Sequence, residues 1–258
     1  MSAREPEEIY ERTREEGRRR LSRPVLELAA TAAVGGFDVA FGVAALGLAG
    51  AAMSERFGSG AADLVGAAAF GIGFVFVVVG RSELFTENFL VPITGMDRRQ
   101  RGSWLKLGEL WAVSLVLNVA GGLALTLILS SHGVLNEGSG ARLVEVSEHI
   151  AGYGTLTGLL SAFVAGALMT LMTWFVEGAA ATGGLRALMA WLVGFLLALG
   201  TFNHAVVSTV ELIFGMRYGA DVSLSDLFAN LGVAVGGNLA GGLAFVTLAR
   251  TAQALAGR

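Results

Sequence analysis

Apolar and polar residues alternate in long blocks along the chain. Six apolar stretches are separated by short polar segments, and they cover residues 24–53, 64–95, 107–130, 153–176, 185–216 and 227–249. A bilayer is crossed by a helix of about 20 apolar residues, a length that each stretch reaches or approaches. The pattern predicts an all-α membrane protein in which residues 24–254 form one domain of six transmembrane spans.

Two of the six stretches contain polar interruptions. In the second, the polar segment 81–88 is followed by Pro92, and in the fifth, Asn203 and His204 lie deep within an apolar run. Polar groups at that depth are costly unless they face protein, water or a solute, and irregular backbone is tolerated only where it is buried or lines a cavity. We therefore expect the second and fifth helices to be broken, near residues 82–88 and 200–205, and to form an interior functional site. A histidine packed against a neighbouring helix is the alternative.

Charged residues indicate the orientation of the chain. Residues 1–23 contain seven arginines among several glutamates and predict a charged helix at the membrane surface or a solvated tail. The loop 97–106 is the most basic in the chain, whereas the segment 131–149 is acidic. Because cytoplasmic loops carry the excess of Lys and Arg, we expect both termini in the cytoplasm.

A short sequence occurs twice. Residues 118–124 read NVAGGLA and residues 238–244 read NLAGGLA, a match at six of seven positions with an offset of 120 residues. The same offset places the interruption 81–88 on residues 201–208. Two halves of three spans each must insert with opposite orientations, so the match predicts an inverted repeat with a translocation site near the midplane. Ordinary packing of small residues is the alternative explanation of the heptapeptide by itself.

Composition narrows the class of function. The chain of 258 residues is 54% hydrophobic, has no cysteine and holds only three histidines, and its mean hydropathy is +0.65. Disulfides and thiolate metal sites are therefore excluded. We expect no bound metal, no cofactor and no nucleic-acid partner. We expect the protein to be embedded in membrane lipid.

Both interruptions carry motifs that resemble those of the formate/nitrite transporter family. Leu84-Phe85-Thr86 is similar to the family's LFT motif in its broken second helix, and the segment 200–204, Gly-Thr-Phe-Asn-His, is similar to the G-x-F-E-H motif of its broken fifth helix. The resemblance covers about residues 25–250. It implies an aquaporin-like protomer, a homopentamer with a pore in each protomer, and a bacterial inner membrane location. The implied substrates are small monovalent anions or their weak acids, such as formate, nitrite or hydrosulfide.

The resemblance also implies roles for individual residues. By motif position, His204 is the central pore histidine, Thr86 is its partner from the second helix, and Asn203 is expected to line the pore beside His204 and to contact the substrate. The apolar pore residues are expected to be Phe70, Phe74, Leu84, Phe85, Leu197 and Phe202.

The chain departs from the family pattern at several positions. Asn203 replaces the usual glutamate, Gly166 stands where asparagine is frequent, and the single lysine of the chain lies in the basic loop and not in an external vestibule. Arg81 precedes the LFT motif where a small residue is expected, and it either attracts the substrate or pairs with Glu83 or Glu87. With these departures, the chain resembles a divergent, YfdC-like branch of the family. The departures leave the transported species open.

A histidine between apolar constrictions suits the passage of a weak acid. An isolated anion in an apolar passage is heavily penalised, and a protonated acid avoids that penalty. Imidazole titrates near neutral pH and can donate a hydrogen bond or a proton, whereas Thr86 can donate only a hydrogen bond. With Asn203 in place of a carboxylate, we expect His204 to be neutral at rest.

Two other functions were considered. An aquaporin-like pore for small neutral solutes shares six spans and inverted halves, but neither Asn118 nor Asn238 is followed by the proline of an Asn-Pro-Ala motif. An intramembrane hydrolase would use Ser82 or Ser208 with His204, and neither serine lies in a Gly-x-Ser-x-Gly context. We expect a transport protein and not an enzyme, either a channel or a proton-coupled transporter.

Overall fold

A computed structural model of the chain describes residues 4–179 and 183–256, and its regular structure over these residues is helical throughout. Eleven α-helices follow in order along the described chain: α1 Pro6–Leu21, α2 Val25–Phe57, α3 Ser59–Gly80, α4 Val91–Gly95, α5 Arg101–Leu129, α6 Glu137–Ala151, α7 Thr155–Gly178, α8 Gly183–Leu199, α9 Val207–Arg217, α10 Leu224–Leu239 and α11 Leu248–Leu255. A 3₁₀ helix Phe85–Phe89 precedes α4, and a π-helical segment Ala240–Thr247 joins α10 to α11. The all-α prediction is confirmed.

Five helices of the described chain are long and apolar enough to cross a membrane, namely Val25–Ser54, Ser59–Gly80, Arg101–Leu129, Thr155–Gly178 and Leu224–Leu255. The shorter apolar helix α8, followed by α9, stands where the sixth span is predicted. The count of six spans stays a prediction. The acidic segment 131–149, expected to be a loop, contains α6, whose first turn is capped by Asn136 accepting a hydrogen bond from the Ser139 N–H at 2.8 Å.

The helices that precede the two breaks end in the same way. Arg81 after α3 and Thr201 after α8 have φ values of 59° and 47°, a left-handed conformation that is uncommon for residues other than glycine. In each case the N–H of the next residue bonds to the carbonyl five residues earlier, at 3.1 Å and 3.0 Å. Positions 81 and 201 are related by the offset of 120 residues. The expected breaks near 82–88 and 200–205 are present in both halves.

The helices α3 and α8 run in opposite directions. Asp63 near the start of α3 lines the same cavity as Leu199 at the end of α8. At the other end, Arg81 after α3 shares a second cavity with Arg186 near the start of α8. Equivalent helices that run antiparallel are what an inverted repeat requires.

Glycines allow equivalent helix crossings in the two halves. Gly36 on α2 packs against the backbone of Asn118 on α5, and Gly166 on α7 packs against the backbone of Asn238 on α10. A Cβ at either glycine would overlap the carbonyl group of the facing asparagine. The two asparagines are 120 residues apart, which is the spacing of the repeated heptapeptide. The two glycines are 130 residues apart. A search of the sequence at the spacing of 120 residues therefore does not align the first helix of one half with that of the other. The departure from the family pattern at Gly166 therefore has a packing cause.

The N-terminal helix packs onto the end of the membrane domain. Gly17 of α1 lies against the backbone of Val91 and Gly95 in α4, and Thr13 is fully buried. Of the two possibilities for residues 1–23, the structure shows a helix over Pro6–Leu21, while residues 1–3 lie outside the described part.

Replacement of Gly166 by alanine should lower the melting temperature of the purified protein, because α7 and α10 must move apart to admit the methyl group. Overpacking of this kind costs about 1–3 kcal/mol. Gly232→Ala in α10 is the matched control, since a Cβ added there meets nothing within 4 Å. Equal melting temperatures for the two variants would show that the crossing at Gly166 is not tight.

Candidate pore site

The two breaks bring His204 and Thr86 together. The Nε2 atom of His204 lies 2.7 Å from Oγ1 of Thr86, and both residues are fully buried. One residue comes from the segment after α3 and the other from the segment after α8. The pair therefore joins the two halves of the chain at the breaks.

Backbone amides at the start of α9 fix the tautomer of His204. Its Nδ1 atom lies 3.2 Å and 3.1 Å from the backbone nitrogens of Val206 and Val207. Because N–H groups only donate, Nδ1 accepts and carries no proton, so the ring proton is on Nε2 and is donated to Thr86. The N-terminus of a helix also disfavours a cation. The geometry thus fits the neutral imidazole expected at rest, and it leaves the hydroxyl hydrogen of Thr86 available to a third group.

Large apolar side chains surround this pair. The ring of Phe74 lies 6.3 Å from the ring of His204, and the ring of Phe70 lies 5.3 Å from that of Phe74. Five of the six apolar residues assigned to the pore are buried in the same core, namely Phe70, Phe74, Leu84, Phe85 and Leu197. The sixth, Phe202, is half-buried and packs against the edge of this core. Leu84, Phe85 and Phe202 lie in the breaks, Leu197 lies just before the second break, and Phe70 and Phe74 lie on α3. Their role as constrictions stays a prediction.

Two cavities open at opposite ends of α3. The first, here the α6 cavity, has a volume of about 520 Å³, and its polar lining consists of Asp63, Arg142, Glu145, His149, Thr201 and Glu211. The second, here the α1 cavity, has a volume of about 130 Å³, and its charged lining consists of Arg12, Glu16, Arg19, Arg20, Arg23, Arg81, Glu83, Glu87, Glu177 and Arg186. A helix of the length of α3 extends about 33 Å. Phe70 and Phe74 lie on it between the two cavities, so a path from one to the other meets the apolar layer that holds His204.

Asn118 holds the first break. Its Nδ2 atom donates to the carbonyl oxygens of Ala32 and Glu83, both at 2.7 Å. Its Oδ1 atom accepts from the Phe85 N–H at 2.9 Å. The side chain thus pairs the Glu83 carbonyl and the Phe85 N–H, which lie beyond the end of α3, and ties them to α2 through the Ala32 carbonyl.

Asn238 holds the second break with an equivalent set of bonds. Its Nδ2 atom donates to the carbonyl oxygens of Ala162 at 2.7 Å and Asn203 at 3.0 Å, and its Oδ1 atom accepts from the Ala205 N–H at 2.9 Å. This role of the two asparagines was not predicted from the sequence. A signal was present, since asparagine is the one polar residue of the repeated heptapeptide.

The side chain of Asn203 points to α10 and not to His204. Its amide group exchanges two hydrogen bonds with that of Asn230, at 2.8 Å and 3.1 Å. Its backbone N–H bonds to Ser161 Oγ at 3.0 Å. Asn203 therefore fastens the second break to the neighbouring helices, and the substrate contact expected of it stays a prediction.

Glu83 pairs with arginines of the N-terminal segment, so the expected pair with Arg81 is corrected. Arg20 Nη1 lies 2.8 Å from one carboxylate oxygen of Glu83, and Arg23 bonds to the other. Arg81 is exposed after the end of α3 and lines the α1 cavity. The sequence alone did not show that α1 folds back onto the break and brings its own arginines there.

The contacts of α1 persist at acidic pH. Burial opposes ionisation of Glu16, but the hydrogen bond from Arg19 and the charges of Arg20 and Arg19 outweigh it and lower the pKa from 4.5 to about 2. A carboxyl whose pKa is lowered on folding stabilises the fold above its unfolded value, and this stabilisation is lost as the pH falls through the folded value. The contribution of Glu16 is therefore complete above about pH 4.5 and is lost progressively between about pH 4.5 and 2, so its titration does not release α1 at mildly acidic pH.

Comparisons with known proteins identify the class. The fold and the site are those of a membrane channel or transporter, and the family model described as formate/nitrite transporter matches residues 7–252. The chain belongs to the formate/nitrite transporter family. Members of this family are channels or transporters, so the protein is not an enzyme. The hydrolase alternative is thereby excluded.

Two relatives match nearly the whole chain. The inner membrane protein YfdC of Escherichia coli (strain K12) is 24% identical over 247 residues, which cover 95% of this chain and 77% of the relative. The uncharacterized transporter YrhG of Bacillus subtilis (strain 168) is 27% identical over 258 residues, which cover 96% of this chain and 92% of the relative. The resemblance to the YfdC-like branch is confirmed.

Two solved structures share the fold. A pentameric formate channel with formate bound superposes with a TM-score of 0.76 at 19% identity, covering 90% of this chain and 98% of that chain. An FNT family ion channel superposes with a TM-score of 0.77 at 19% identity, covering 93% of this chain and 96% of that chain. The aquaporin-like fold predicted from the sequence is confirmed.

Replacement of Glu83 by glutamine should destabilise the protein by about 3–5 kcal/mol, because Arg20 and Arg23, both largely buried, would lose the buried carboxylate that they share. Unfolding in detergent by denaturant measures this change. The control is Glu27→Gln, since Glu27 also contacts Arg23, at 3.4 Å, but is half-exposed. That variant should change stability by less than about 1 kcal/mol. Equal losses in the two variants would contradict a special role of Glu83.

Proposed function

We propose that this protein transports small monovalent anions or their weak acids, of the class of formate, nitrite and hydrosulfide, through a pore in each protomer. The protomers form a homopentamer in a bacterial inner membrane with both termini in the cytoplasm. The similarity to a pentameric formate channel and the basic loop 97–106 support assembly and orientation. Chemistry at the centre of the protomer supports the substrate class.

The observation that carries the proposal is the His204–Thr86 pair within an apolar layer between two cavities. An anion that leaves water in such a layer needs a donor aimed at it. Neutral His204 donates to Thr86 and thereby orients the threonine hydroxyl hydrogen toward a permeating oxygen or sulfur. A proton passed on through Thr86 would leave His204 as an imidazolate, which is strongly disfavoured. The pair therefore supplies a hydrogen bond, and an acid that crosses in protonated form takes its proton elsewhere.

The α1 cavity is suited to anions. Six arginines and four glutamates line it, and two of the arginines, Arg20 and Arg23, share the one carboxylate of Glu83. Arg81 is exposed there and lies next to the first break. Excess positive charge in a cleft raises the local concentration of anions. These arginines take the place of the missing vestibule lysine, at the opposite end of the protomer.

The aquaporin-like alternative is disfavoured by the two asparagines at the breaks. A pore for neutral solutes of that type needs amide groups that face the solute. Asn118 and Asn238 each spend both amide hydrogens and the carbonyl oxygen on backbone groups. Little hydrogen-bonding capacity remains for a neutral solute.

Flux into proteoliposomes containing the purified protein tests the substrate class. Formate, nitrite, hydrosulfide and glycerol are compared side by side at two pH values. At least one of the three anions should enter much faster than through empty liposomes, and glycerol should not. Rapid glycerol entry without anion flux would favour the neutral-solute pore.

Thr86→Val should reduce flux by roughly five- to a hundredfold, because it leaves the His204 Nε2–H and the permeating oxygen or sulfur without their partner, and a buried polar group left unpaired costs about 1–3 kcal/mol. Thr86→Ser keeps the hydroxyl and should stay close to wild type. Both variants are measured per folded oligomer in the same liposomes. Wild-type flux through the valine variant would remove Thr86 from the mechanism.

A further inference from the structure

Glu211 is a buried carboxyl that the mechanism so far does not use. It lies on α9, seven residues after His204, is 5% exposed and faces the α6 cavity. Over the described residues the structure gives its carboxyl no hydrogen bond and no ion pair. Buried polar groups normally have partners, and an ionised carboxylate in such a place is costly unless a proton or a cation neutralises it.

The remaining groups of the α6 cavity do not neutralise Glu211. Arg142 on α6 bonds to Asp63 on α3, and it lies 2.6 Å from Glu145. The cavity therefore holds three carboxyl groups and one arginine that is already paired, together with His149.

The other helices packed against α9 add little charge at this place. Tyr153, before α7, lies near enough to feel the charge of Glu211, and its hydroxyl donates to the Thr201 carbonyl at 2.8 Å. In the described part of the chain, α2 contributes only apolar Leu46 to the lining, and neither α5 nor α10 contributes a charged side chain. A cavity of this composition attracts protons and repels anions.

The position of Glu211 connects the cavity to the break. The α6 cavity reaches Thr201, the residue at which the second break begins, and its volume of about 520 Å³ leaves room for water beside both Thr201 and Glu211. An anion that enters from this side passes a carboxyl group before it reaches the apolar layer. A protonated carboxyl can donate to that anion, whereas an ionised one repels it.

We propose that Glu211 is the proton donor that converts the entering anion into its neutral acid. The O–H bond of the Glu211 carboxyl breaks, the proton binds an oxygen or sulfur of the anion, and Glu211 is left as a carboxylate. The neutral acid crosses the apolar layer past Thr86 and releases its proton on the far side. Glu211 regains a proton from water in the α6 cavity, so one proton moves with each anion; in the opposite direction the steps reverse. This inference rests on the proposed function.

The test uses full-length protein in liposomes that contain a pH-sensitive dye, with formate as the probe at two outer pH values. Wild type should carry protons together with formate, faster at the lower pH. Glu211→Gln, which keeps the size of the side chain, should lose this pH dependence and slow formate entry by roughly tenfold or more. His204→Asn should keep the pH dependence, since His204 is not the proton source. The matched control is Glu145→Gln, which removes one carboxylate from the same cavity and should behave as wild type.

The outcomes separate the two claims. Absence of flux of every anion through wild type overturns the proposed function and this role of Glu211 with it. Wild-type flux with an unchanged pH profile in folded Glu211→Gln overturns the role of Glu211 alone. Formate entry that depends on sodium at fixed pH, and loses that dependence in Glu211→Gln, would make Glu211 a metal-cation site and overturn the proposal.

A second measurement uses the wild-type protein and does not depend on how the variant folds. A hydrophobic carbodiimide reacts with protonated carboxyl groups in apolar surroundings. It should label Glu211, as mapped by mass spectrometry, and block formate flux, with labelling that declines as the pH is raised. Absence of labelling at Glu211 at every pH would contradict a protonated donor there.

Discussion

Two broken helices expose backbone N–H and C=O groups at a depth where lipid offers them no partner, and the rest of the protomer depends on how these groups are satisfied. Asn118 and Asn238 solve the problem identically in the two halves, each with two donated bonds and one accepted bond. Gly36 and Gly166 then allow the neighbouring helices close enough for these bonds to form. The breaks are therefore rigid, and they hold His204 and Thr86 at a fixed distance.

Once the backbone groups at the breaks are hydrogen-bonded, few polar groups at the centre of the protomer remain available to bind a permeating species. The imidazole accepts two amide bonds on one side and donates on the other, so only the hydrogen of the threonine hydroxyl remains for a permeating species. Electrostatics differ at the two ends, where arginines dominate the α1 cavity and carboxyl groups dominate the α6 cavity. Hydrogen-bond donation at the centre and proton exchange at one end are thus assigned to different groups.

The local pattern of apolar and polar residues was sufficient to predict some features of the fold and the site but not others. Apolar length and polar interruptions predicted helices and both breaks, because burial of polar groups in a membrane is costly wherever it occurs. That Thr86 meets His204 was expected from the resemblance of the two motifs to those of the family. The partners of Glu83 could not be foreseen, since they depend on α1 folding back across the domain. Likewise, the face on which Glu211 lies and the bonds of Asn203 to Asn230 follow from helix rotation, which the nearly uniform apolar pattern of these helices does not specify.

An experimental structure of the oligomer in lipid with formate present would test the central claim most directly. The account predicts formate in each protomer, within about 2.6–3.2 Å of Thr86 Oγ1, with His204 still bonded to Thr86 and to the amides of Val206 and Val207. Formate located on the symmetry axis between protomers, or a protomer in which His204 and Thr86 are sealed off from both cavities, would contradict it.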